Sequence, residues 1–258
     1  MGKIIAFINQ KGGVGKTTTC VNMASFLADK GYNVLVVDID PQGNASSSFG
    51  YTRDQKNKTF YNIIVEDCTI QDAILHTKIE KLDLIPSDVE LAGAEIELVQ
   101  MPKRENVLKN YLGMVKDNYD FICIDCPPSL GLLTVNALTA CDSVLIPIQC
   151  HYFALEGLSQ LMYTVKLVKK HLNEAITVEG VVLTMKDARS NLEVSVSNDV
   201  KKYFGSKVYE TIIPRNVRLA EAPSYGETIL TYDPKSTGAV AYRKLTEEFL
   251  RRQVNKNG

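Results

Sequence analysis

A glycine-rich loop near the N-terminus limits how this chain can fold more strongly than any other segment. Residues 3–8 form an apolar run that predicts a buried strand, and they lead directly into Asn9-Gln-Lys-Gly-Gly-Val-Gly-Lys-Thr-Thr18. A helical pattern follows over residues 16–30. The glycines let the backbone curl until successive N–H groups face inward, and the positive end of the helix adds to the attraction for an anion. This strand, loop and helix order predicts a phosphate-binding loop, or P-loop.

Individual side chains of the loop have separate expected roles. We expect Lys16 to bridge the β- and γ-phosphates of a nucleotide, and the Thr17 hydroxyl to ligate Mg²⁺. Compared with the pattern G-x-x-x-x-G-K-[ST], the first glycine is replaced by Gln10 and an additional lysine stands at Lys11. The expected nucleotide-binding residues of the loop are Gly12, Gly13, Val14, Gly15, Lys16, Thr17 and Thr18.

Acidic residues follow two other apolar runs. Asp38 and Asp40 come at and after the end of a predicted strand, 33–38, and Asp125 ends another, 120–125. The carboxyl ends of parallel strands are where such sheets bind ligands. The period of two puts Asp38 and Asp40 on the same side, so that one or both can reach the Mg²⁺ shell or the attacking water. We predict a metal site made of Thr17, Asp40 and Asp125.

Short apolar runs alternate with amphipathic stretches along the whole chain. This pattern predicts an α/β fold, namely a doubly wound, mostly parallel sheet with helices on both faces. The other predicted strands are 82–86, 143–148, 177–184 and 208–213, and the other predicted helices are 88–98, 103–117, 130–140, 154–171, 191–204 and 237–252. We expect one domain over residues 1–258, with the nucleotide site mainly at 9–44 and 121–131. Residues 43–59 form the longest segment expected to be irregular.

Composition and charge restrict the classes of function. The chain has 258 residues, of which 45% are apolar and 23% charged, and no apolar run is long enough to span a bilayer. The net charge of −1 is unevenly distributed: residues 160–258 contain 16 Lys and Arg against 11 Asp and Glu. This basic part permits an anionic partner such as nucleic acid, although a solvated charged face is the common alternative.

Six scattered cysteines favour reduced thiols over a disulfide framework. Cys123 and Cys126 form a C-x-x-C pair, but it lies in an apolar run and no second pair completes a metal site. Buried thiols of a strand are therefore the favoured interpretation, with a redox or metal role as the alternative. The opening residues lack the pattern of a signal peptide, and we expect a cytoplasmic protein.

Several longer strings together resemble one family of proteins. They are the P-loop from Lys11, Asp38-Ile-Asp-Pro-Gln-Gly-Asn44, Ile124-Asp-Cys-Pro-Pro-Ser-Leu-Gly131, Tyr152-Phe-Ala-Leu-Glu-Gly157 and Ile213-Pro-Arg-Asn-Val-Arg-Leu-Ala-Glu-Ala-Pro223. The chain thus resembles, over nearly its whole length, the ParA/Soj family of chromosome- and plasmid-partitioning ATPases. This family belongs to the deviant Walker A class of P-loop NTPases, which also contains MinD.

The resemblance implies an ATPase that uses ATP and Mg²⁺. It makes Lys11 a lysine that reaches the partner's phosphates across an ATP-dependent homodimer, and Asp40 the carboxylate that orients the attacking water. Lys11, Lys16 and Asp40 are then the expected catalytic residues. Pro214 and Asn216 are expected to contact the adenine.

The resemblance also implies partners. Members bind double-stranded DNA without sequence preference, and a ParB-like centromere-binding protein stimulates their ATP hydrolysis, so a nucleoid-associated location is expected. Within the basic part, 186–223, the DNA-binding candidates are Arg189, Arg215 and Arg218, with added phosphate contacts from Lys186, Lys201 and Lys202. Alternatively, Arg215 or Arg218 helps to shape the nucleotide site, because both lie beside Pro214 and Asn216, the residues expected to contact the adenine.

Two alternatives belong to other functional classes. A membrane-surface switch of the MinD type would carry a basic amphipathic helix at its C-terminus. Here Tyr242, Leu245 and Phe249 recur at helical spacing, which is simpler to explain as a helix docked on the core, so no membrane partner is expected. The second alternative, a cluster-carrying protein resembling nitrogenase iron protein, would use cysteines such as Cys126.

Overall fold

The computed structural model describes residues 2–52, 58–151, 154–186 and 191–257, without the side chains of 154–156, 186, 191–192 and 255–257. Its described residues form one eight-stranded sheet in the order β3-β4-β2-β5-β1-β6-β7-β8. Among the strand pairs that the described residues form, only that of β3 with β4 is antiparallel. The strands are β1 (Lys3–Phe7), β2 (Val34–Asp38), β3 (Leu75–His76), β4 (Leu82–Ile85), β5 (Phe121–Asp125), β6 (Ser143–Gln149), β7 (Thr177–Lys186) and β8 (Ile213–Pro214).

Helices cover both faces of the sheet. The α-helices are α1 (Lys16–Asp29), α2 (Asn44–Ser48), α3 (Phe60–Ile64), α4 (Leu91–Gln100), α5 (Val107–Gly113), α6 (Leu132–Ala140), α7 (Ala154–His171), α8 (Asn191–Phe204), α9 (Val217–Glu221), α10 (Ile229–Tyr232) and α11 (Thr237–Asn257). Alternate residues of β1 separate the two apolar cores. Ile4 and Ala6 face the core formed with α3 to α8, whereas Ile5 and Phe7 face the core formed with α1, α2 and α9 to α11. The predicted fold class is confirmed.

The central strands are apolar because both of their faces are covered. Every residue of β2 and of β5 is buried, including the aspartate that ends each strand. Asp38 and Asp125 stand opposite each other in the parallel register of these neighbouring strands. The sheet thus places both carboxylates at one point of its carboxyl edge, beside the end of β1 from which the P-loop departs.

Some predicted boundaries are wrong. Residues 208–213 do not form a continuous strand, because the backbone N–H groups of Glu210 and Thr211 donate to the Glu248 carboxylate of α11 rather than to a neighbouring strand. Only a bridge at Val208 and the short β8 remain. The helix predicted over 103–117 is shortened to α5 with a 3₁₀ turn on each side. The stretch 43–59, expected to be irregular, begins with the five-residue helix α2.

The C-terminal helix packs on the core as expected. Tyr242, Leu245 and Phe249 are at most 1% exposed, and all three belong to the core on the α1 side. Among the described residues, no helix has the length and apolar content needed to cross a membrane.

Candidate functional site

The P-loop folds into a left-handed turn that exposes the start of α1. Gly13 and Gly15 have φ angles of 73° and 82°, values that favour glycine. Gly15 caps α1, and neither a side-chain cap nor an acidic residue occupies the first turn of that helix. The free N–H groups of the helix therefore point at the loop without a competing negative charge, which makes this end of α1 an anion-binding site.

A cavity of about 460 Å³ opens in front of the loop. It is lined by Lys11, Gly12, Gly13, Gly15, Lys16, Thr17 and Thr18 from the loop and by Asp40, Gln42 and Asn44 from the segment after β2. Val14 is the predicted loop residue that does not line this cavity: it is buried, and its carbonyl accepts a hydrogen bond from Thr184 at 2.7 Å. This bond fixes the loop to β7.

Lys16, Thr17 and Asp125 form one polar cluster beneath the cavity. The Lys16 ammonium lies 3.8 Å from Oδ1 of Asp125, and both side chains are almost fully buried. The Thr17 hydroxyl donates to Oδ2 of Asp125 at 2.7 Å. The fold therefore brings together the predicted phosphate lysine and two of the three predicted metal ligands.

The donor set of this cluster fits Mg²⁺. Oδ1 of Asp125 is buried and accepts no hydrogen bond within the described part of the chain, so a lone pair is available to a cation or its water. No group of three or more His, Cys, Asp or Glu side chains among the described residues can enclose a metal. Mg²⁺ does not need such a cage, because it is commonly held by one or two carboxylates together with phosphate oxygens and water.

Asp38 and Asp40 have different environments, although the sequence placed them on the same side. Asp38 is fully buried and accepts hydrogen bonds from the Asp40 N–H and from both the N–H and the hydroxyl of Ser46. Asp40 lines the cavity, and its Oδ1 accepts from the Gln42 N–H at 3.0 Å. Asp38 thus orders the turn that follows β2, whereas Asp40 is available to a ligand.

Burial changes the acidity of both strand-end carboxylates. It raises the pKa of Asp38, and the nearby Asp125 charge raises it further, while the Ser46 donors oppose the shift. Burial likewise raises the pKa of Asp125, against the opposing effects of Lys16 and Thr17. The desolvated pair therefore favours an added positive charge, such as a divalent cation near Asp125.

A second, mainly apolar cavity of about 340 Å³ shares Gly15, Thr18, Leu219 and Ala220 with the first. It contains Pro214 and Asn216, as expected for an adenine site. Asn216 is held by donating to the Thr237 hydroxyl at 2.6 Å and accepting from the Arg218 N–H at 2.8 Å. The cavity also contains Arg215, which sequence reasoning named as a DNA-binding candidate with the nucleotide site as its alternative. Sequence reasoning did not assign the other lining residues, Thr184, Met185, Ile213, Val217, Leu219, Ala220 and Tyr242. Leu219 and Ala220 lie in the family-like string 213–223, but no pattern pointed to Met185 or Tyr242.

The extra lysine of the loop is in a very different environment from Lys16. Lys11 is exposed at the rim of the cavity, and its backbone N–H donates to the Asn9 side chain. No hydrogen bond or ion pair of its ammonium group occurs among the described residues, whereas Lys16 is paired with Asp125.

The basic candidates are only partly described. Arg215 is exposed and lines the second cavity. Arg218 is 55% exposed, and its guanidinium pairs with Glu221 at 2.9 Å and approaches Asp233 at 3.7 Å. Lys201 and Lys202 are exposed on α8. Arg189 and the side chain of Lys186 lie outside the described residues.

The cysteines are free thiols, five of them buried. Burial raises the pKa of Cys123 to about 12, and it also raises the pKa of Cys126. Both groups are therefore protonated at neutral pH and poor ligands or nucleophiles. This supports the interpretation of buried strand thiols.

Comparison with known proteins gives consistent results. The model of a family described as an AAA domain matches residues 2–178. The sporulation initiation inhibitor protein Soj of Bacillus subtilis is 60% identical over 96% of this chain and 98% of its own length. The chromosome partitioning protein ParA of Caulobacter vibrioides is 48% identical over 98% of this chain and 96% of its own length.

Solved structures show the same fold. Cobyrinic acid a,c-diamide synthase from Mycobacterium smegmatis, with a bound ATP analogue and magnesium, has a TM-score of 0.86 and 34% identity, covering 98% of this chain and 96% of its own. The cell division ATPase MinD of Pyrococcus furiosus has a TM-score of 0.81 and 27% identity, covering 98% and 100%. Fold alone does not separate these proteins by function. The identity to Soj and ParA over nearly complete chains does, and the protein therefore belongs to the Soj/ParA family of chromosome-partitioning ATPases.

Proposed function

We propose that this protein is an ATP-dependent DNA-segregation switch. It binds Mg²⁺ and ATP, forms a nucleotide-sandwich homodimer, and as that dimer binds double-stranded DNA without sequence preference. A ParB-like protein then stimulates hydrolysis and releases the DNA. The observation that carries this proposal is the contrast between the two lysines of the P-loop: Lys16 is buried and paired, and Lys11 is exposed at the rim of the same cavity.

This contrast supports a dimer because one loop needs only one buried lysine for its own phosphates. A second ammonium group at the rim can contact the phosphates of a second copy placed face to face with the first. In that position Lys11 supplies positive charge in trans, as an arginine finger does, and makes hydrolysis depend on dimerisation.

The proposed chemistry is phosphoryl transfer to water. The loop N–H groups, the start of α1 and Lys16 would bind and orient the phosphates. Thr17 and Asp125 would hold Mg²⁺, which would supply positive charge to the phosphate oxygens. Asp40, at the cavity wall, orients the attacking water. The Mycobacterium smegmatis synthase, which shares this fold and was solved with an ATP analogue and magnesium bound, supports this choice of cofactors.

The proposed DNA surface lies in the basic C-terminal part. Arg215 and Arg218 are exposed within a few residues of the adenine cavity, so nucleotide binding and dimerisation can position them together. The pairing of Arg218 with Glu221 does not exclude a DNA contact, because exposed ion pairs are weak and phosphates compete for the guanidinium. The names of the Soj and ParA relatives support chromosome partitioning as the process served, and a nucleoid-associated, cytoplasmic protein follows from it.

The proposed dimer is tested by measuring mass in solution with ATP. Asp40→Ala should bind ATP, fail to hydrolyse it and accumulate as a dimer. The double variant Asp40→Ala with Lys11→Ala should bind ATP and remain monomeric. A dimer of equal stability in both variants, measured by light scattering after size exclusion, would remove the proposed role of Lys11.

A further inference from the structure

Helix α4 and the turn that precedes it present an apolar stripe to solvent. Val89, Ile96 and Val99 are 50%, 74% and 53% exposed, and Ala92 between them is also exposed. Their spacing of three, four and three residues is that of a seam between two packed helices. The opposite side of α4 already contacts the core through Leu91, Ala94 and Leu98. A contiguous exposed stripe of this kind indicates a surface for another chain.

The charge around the stripe indicates the chemistry of that chain. Residues 82–102 contain five Asp and Glu and no Lys or Arg. Glu90 is exposed beside Val89, and no described lysine or arginine forms an ion pair with it. A second copy of the same acidic helix would be repelled, whereas a basic, amphipathic segment would match both the apolar stripe and the charge.

The chain leading into α4 is bonded to the turn that carries Asp40. Ser87, which is 2% exposed, donates its hydroxyl hydrogen to the Asp40 carbonyl at 2.8 Å, and its N–H donates to the Ser46 hydroxyl at 2.9 Å. The same turn passes so close that a Cβ added to Gly43 would lie 2.9 Å from the Ser87 carbonyl oxygen. Because these contacts are tightly packed, a displacement of the segment that leads into α4 would also displace the turn that carries Asp40.

A second contact connects α4 to the segment that follows Asp125. A Cβ added to Gly131, at the start of α6, would overlap Oε1 of Glu95. Glu95 thus packs directly on this backbone. Helix α4 and the segment leading into it therefore together touch both segments that leave the strand-end carboxylates.

We propose that the α4 stripe is the docking site for a basic, amphipathic helical segment of the partner that stimulates hydrolysis, and that docking acts on Asp40 through Ser87. This inference rests on the proposed function, in which a ParB-like protein is that partner. Ser87 is a positioning residue, because it touches the backbone of Asp40 and not the reacting atoms.

The first test uses the full chain with ATP, DNA and its cognate ParB-like protein. Ile96→Lys should raise the partner concentration needed for half-maximal stimulation by at least about tenfold, because a basic segment would meet an unpaired charge of its own sign. Met114, which is 63% exposed outside the stripe, provides a matched control as Met114→Lys. Hydrolysis without the partner should be unchanged in both variants.

The outcomes separate the inference from the proposed function. Stimulation that is lost in Ile96→Lys and kept in Met114→Lys supports the docking site. Equal stimulation in Ile96→Lys and wild type overturns the docking site alone. A wild-type protein that its partner does not stimulate overturns the proposed function, and the inference with it.

Ser87→Ala tests the connection to Asp40. It should bind the partner with an affinity within about twofold of wild type, while the maximal stimulated rate falls at least about fivefold. Ser87→Thr, which keeps the hydroxyl, should restore much of the rate. Normal stimulation of Ser87→Ala would overturn the coupling through Ser87, and loss of partner affinity would show that Ser87 acts only on the structure of the docking surface.

Discussion

Lys11 and Lys16 lie five positions apart in the P-loop, yet they differ in burial and in pairing. Lys16 is 7% exposed and lies 3.8 Å from a carboxylate, while Lys11 is exposed at the cavity rim. Burial and pairing fix the position of Lys16 before a nucleotide arrives, whereas Lys11 keeps its reach toward another molecule. Their expected roles, within one chain and between two, follow from this difference.

Substitution of each lysine by alanine should separate these roles. Lys16→Ala removes a charge-assisted contact worth about 1.5–3 kcal/mol, so ATP affinity should fall roughly 10- to 150-fold. Lys11→Ala should leave the affinity of the monomer within about twofold and abolish the ATP-dependent dimer. Titration of a fluorescent ATP analogue at low protein concentration measures the monomer. An equal loss of affinity in both variants would argue against a role of Lys11 between subunits.

The acidity of Asp125 predicts a pH dependence of Mg²⁺ binding. Burial raises the pKa of this carboxyl, so a proton competes with the metal at a pH where an ordinary aspartate is ionised. The Mg²⁺-dependent part of ATP affinity should therefore decrease as the pH falls from about 7.5 to 5.5. Calorimetric titrations with and without Mg²⁺ measure it, and Asp125→Asn corrects for protonation of the nucleotide. An Asp125→Asn variant with the wild-type slope would show that another group titrates.

At the scale of elements, α11 interrupts a strand that the local sequence pattern predicts. Residues 208–213 are rich in strand-forming side chains, yet the Glu248 carboxylate accepts the N–H groups of Glu210 and Thr211. The same carboxylate accepts from Arg252 at 2.7 Å. A tertiary contact 37 residues away along the chain decides this local structure, and no pattern within the segment reveals it.

Removing that carboxylate should destabilise the fold. Burial alone would raise the pKa of Glu248, but the two backbone N–H groups and the guanidinium outweigh it and lower the pKa. The carboxylate therefore adds stability above pH ~4.5 that is lost as the pH falls through its lowered pKa. Glu248→Ala leaves two backbone donors without an acceptor and should cost about 2–4 kcal/mol in urea unfolding at pH 7.

Glu248→Gln is the matched control because it keeps one acceptor oxygen. It should lose less stability than Glu248→Ala at pH 7, and the difference between wild type and Glu248→Gln should shrink toward pH 4. Equal unfolding free energies for wild type and Glu248→Ala would show that solvent replaces the carboxylate.

The sequence patterns predicted those elements whose structure depends on residues that are neighbours along the chain. The P-loop, β1 and α1 follow from glycine positions and apolar periodicity, and Asp125 follows from an acidic residue that ends an apolar run. The different environments of Asp38 and Asp40 were not predictable, because they depend on the hydrogen bonds that Ser46 donates to Asp38 at the end of β2. The apolar wall containing Met185 and Tyr242 is likewise assembled from distant segments.

At the scale of the whole molecule, the residues proposed to contact the adenine lie close to those proposed to bind DNA. The second cavity contains both the expected adenine contacts and Arg215, and Arg218 lies in the sequence between two of its lining residues, Val217 and Leu219. Nucleotide binding, dimerisation and DNA binding can therefore depend on one another without long-range motion within the subunit.

The basic candidates predict a specific salt dependence. Arg215→Ala and Arg218→Ala should each weaken binding of the ATP form to duplex DNA uniformly across sequences, and each should reduce the slope of log affinity against log salt concentration by about one. Lys109→Ala, at an exposed lysine of α5, is the control and should change neither quantity. Fluorescence anisotropy of labelled duplexes measures the slopes. Unchanged slopes in both arginine variants would assign these residues to the nucleotide site.

The most direct test of an ATP-gated DNA switch is the binding of an arbitrary DNA duplex by wild type and Lys11→Ala. Binding is measured with ATP, with ADP and without nucleotide, at two salt concentrations. We predict salt-sensitive binding by wild type with ATP only, and none by Lys11→Ala in any state. Equal binding with ADP, or the absence of DNA binding with ATP, would contradict the proposed function and leave an ATPase with a different target.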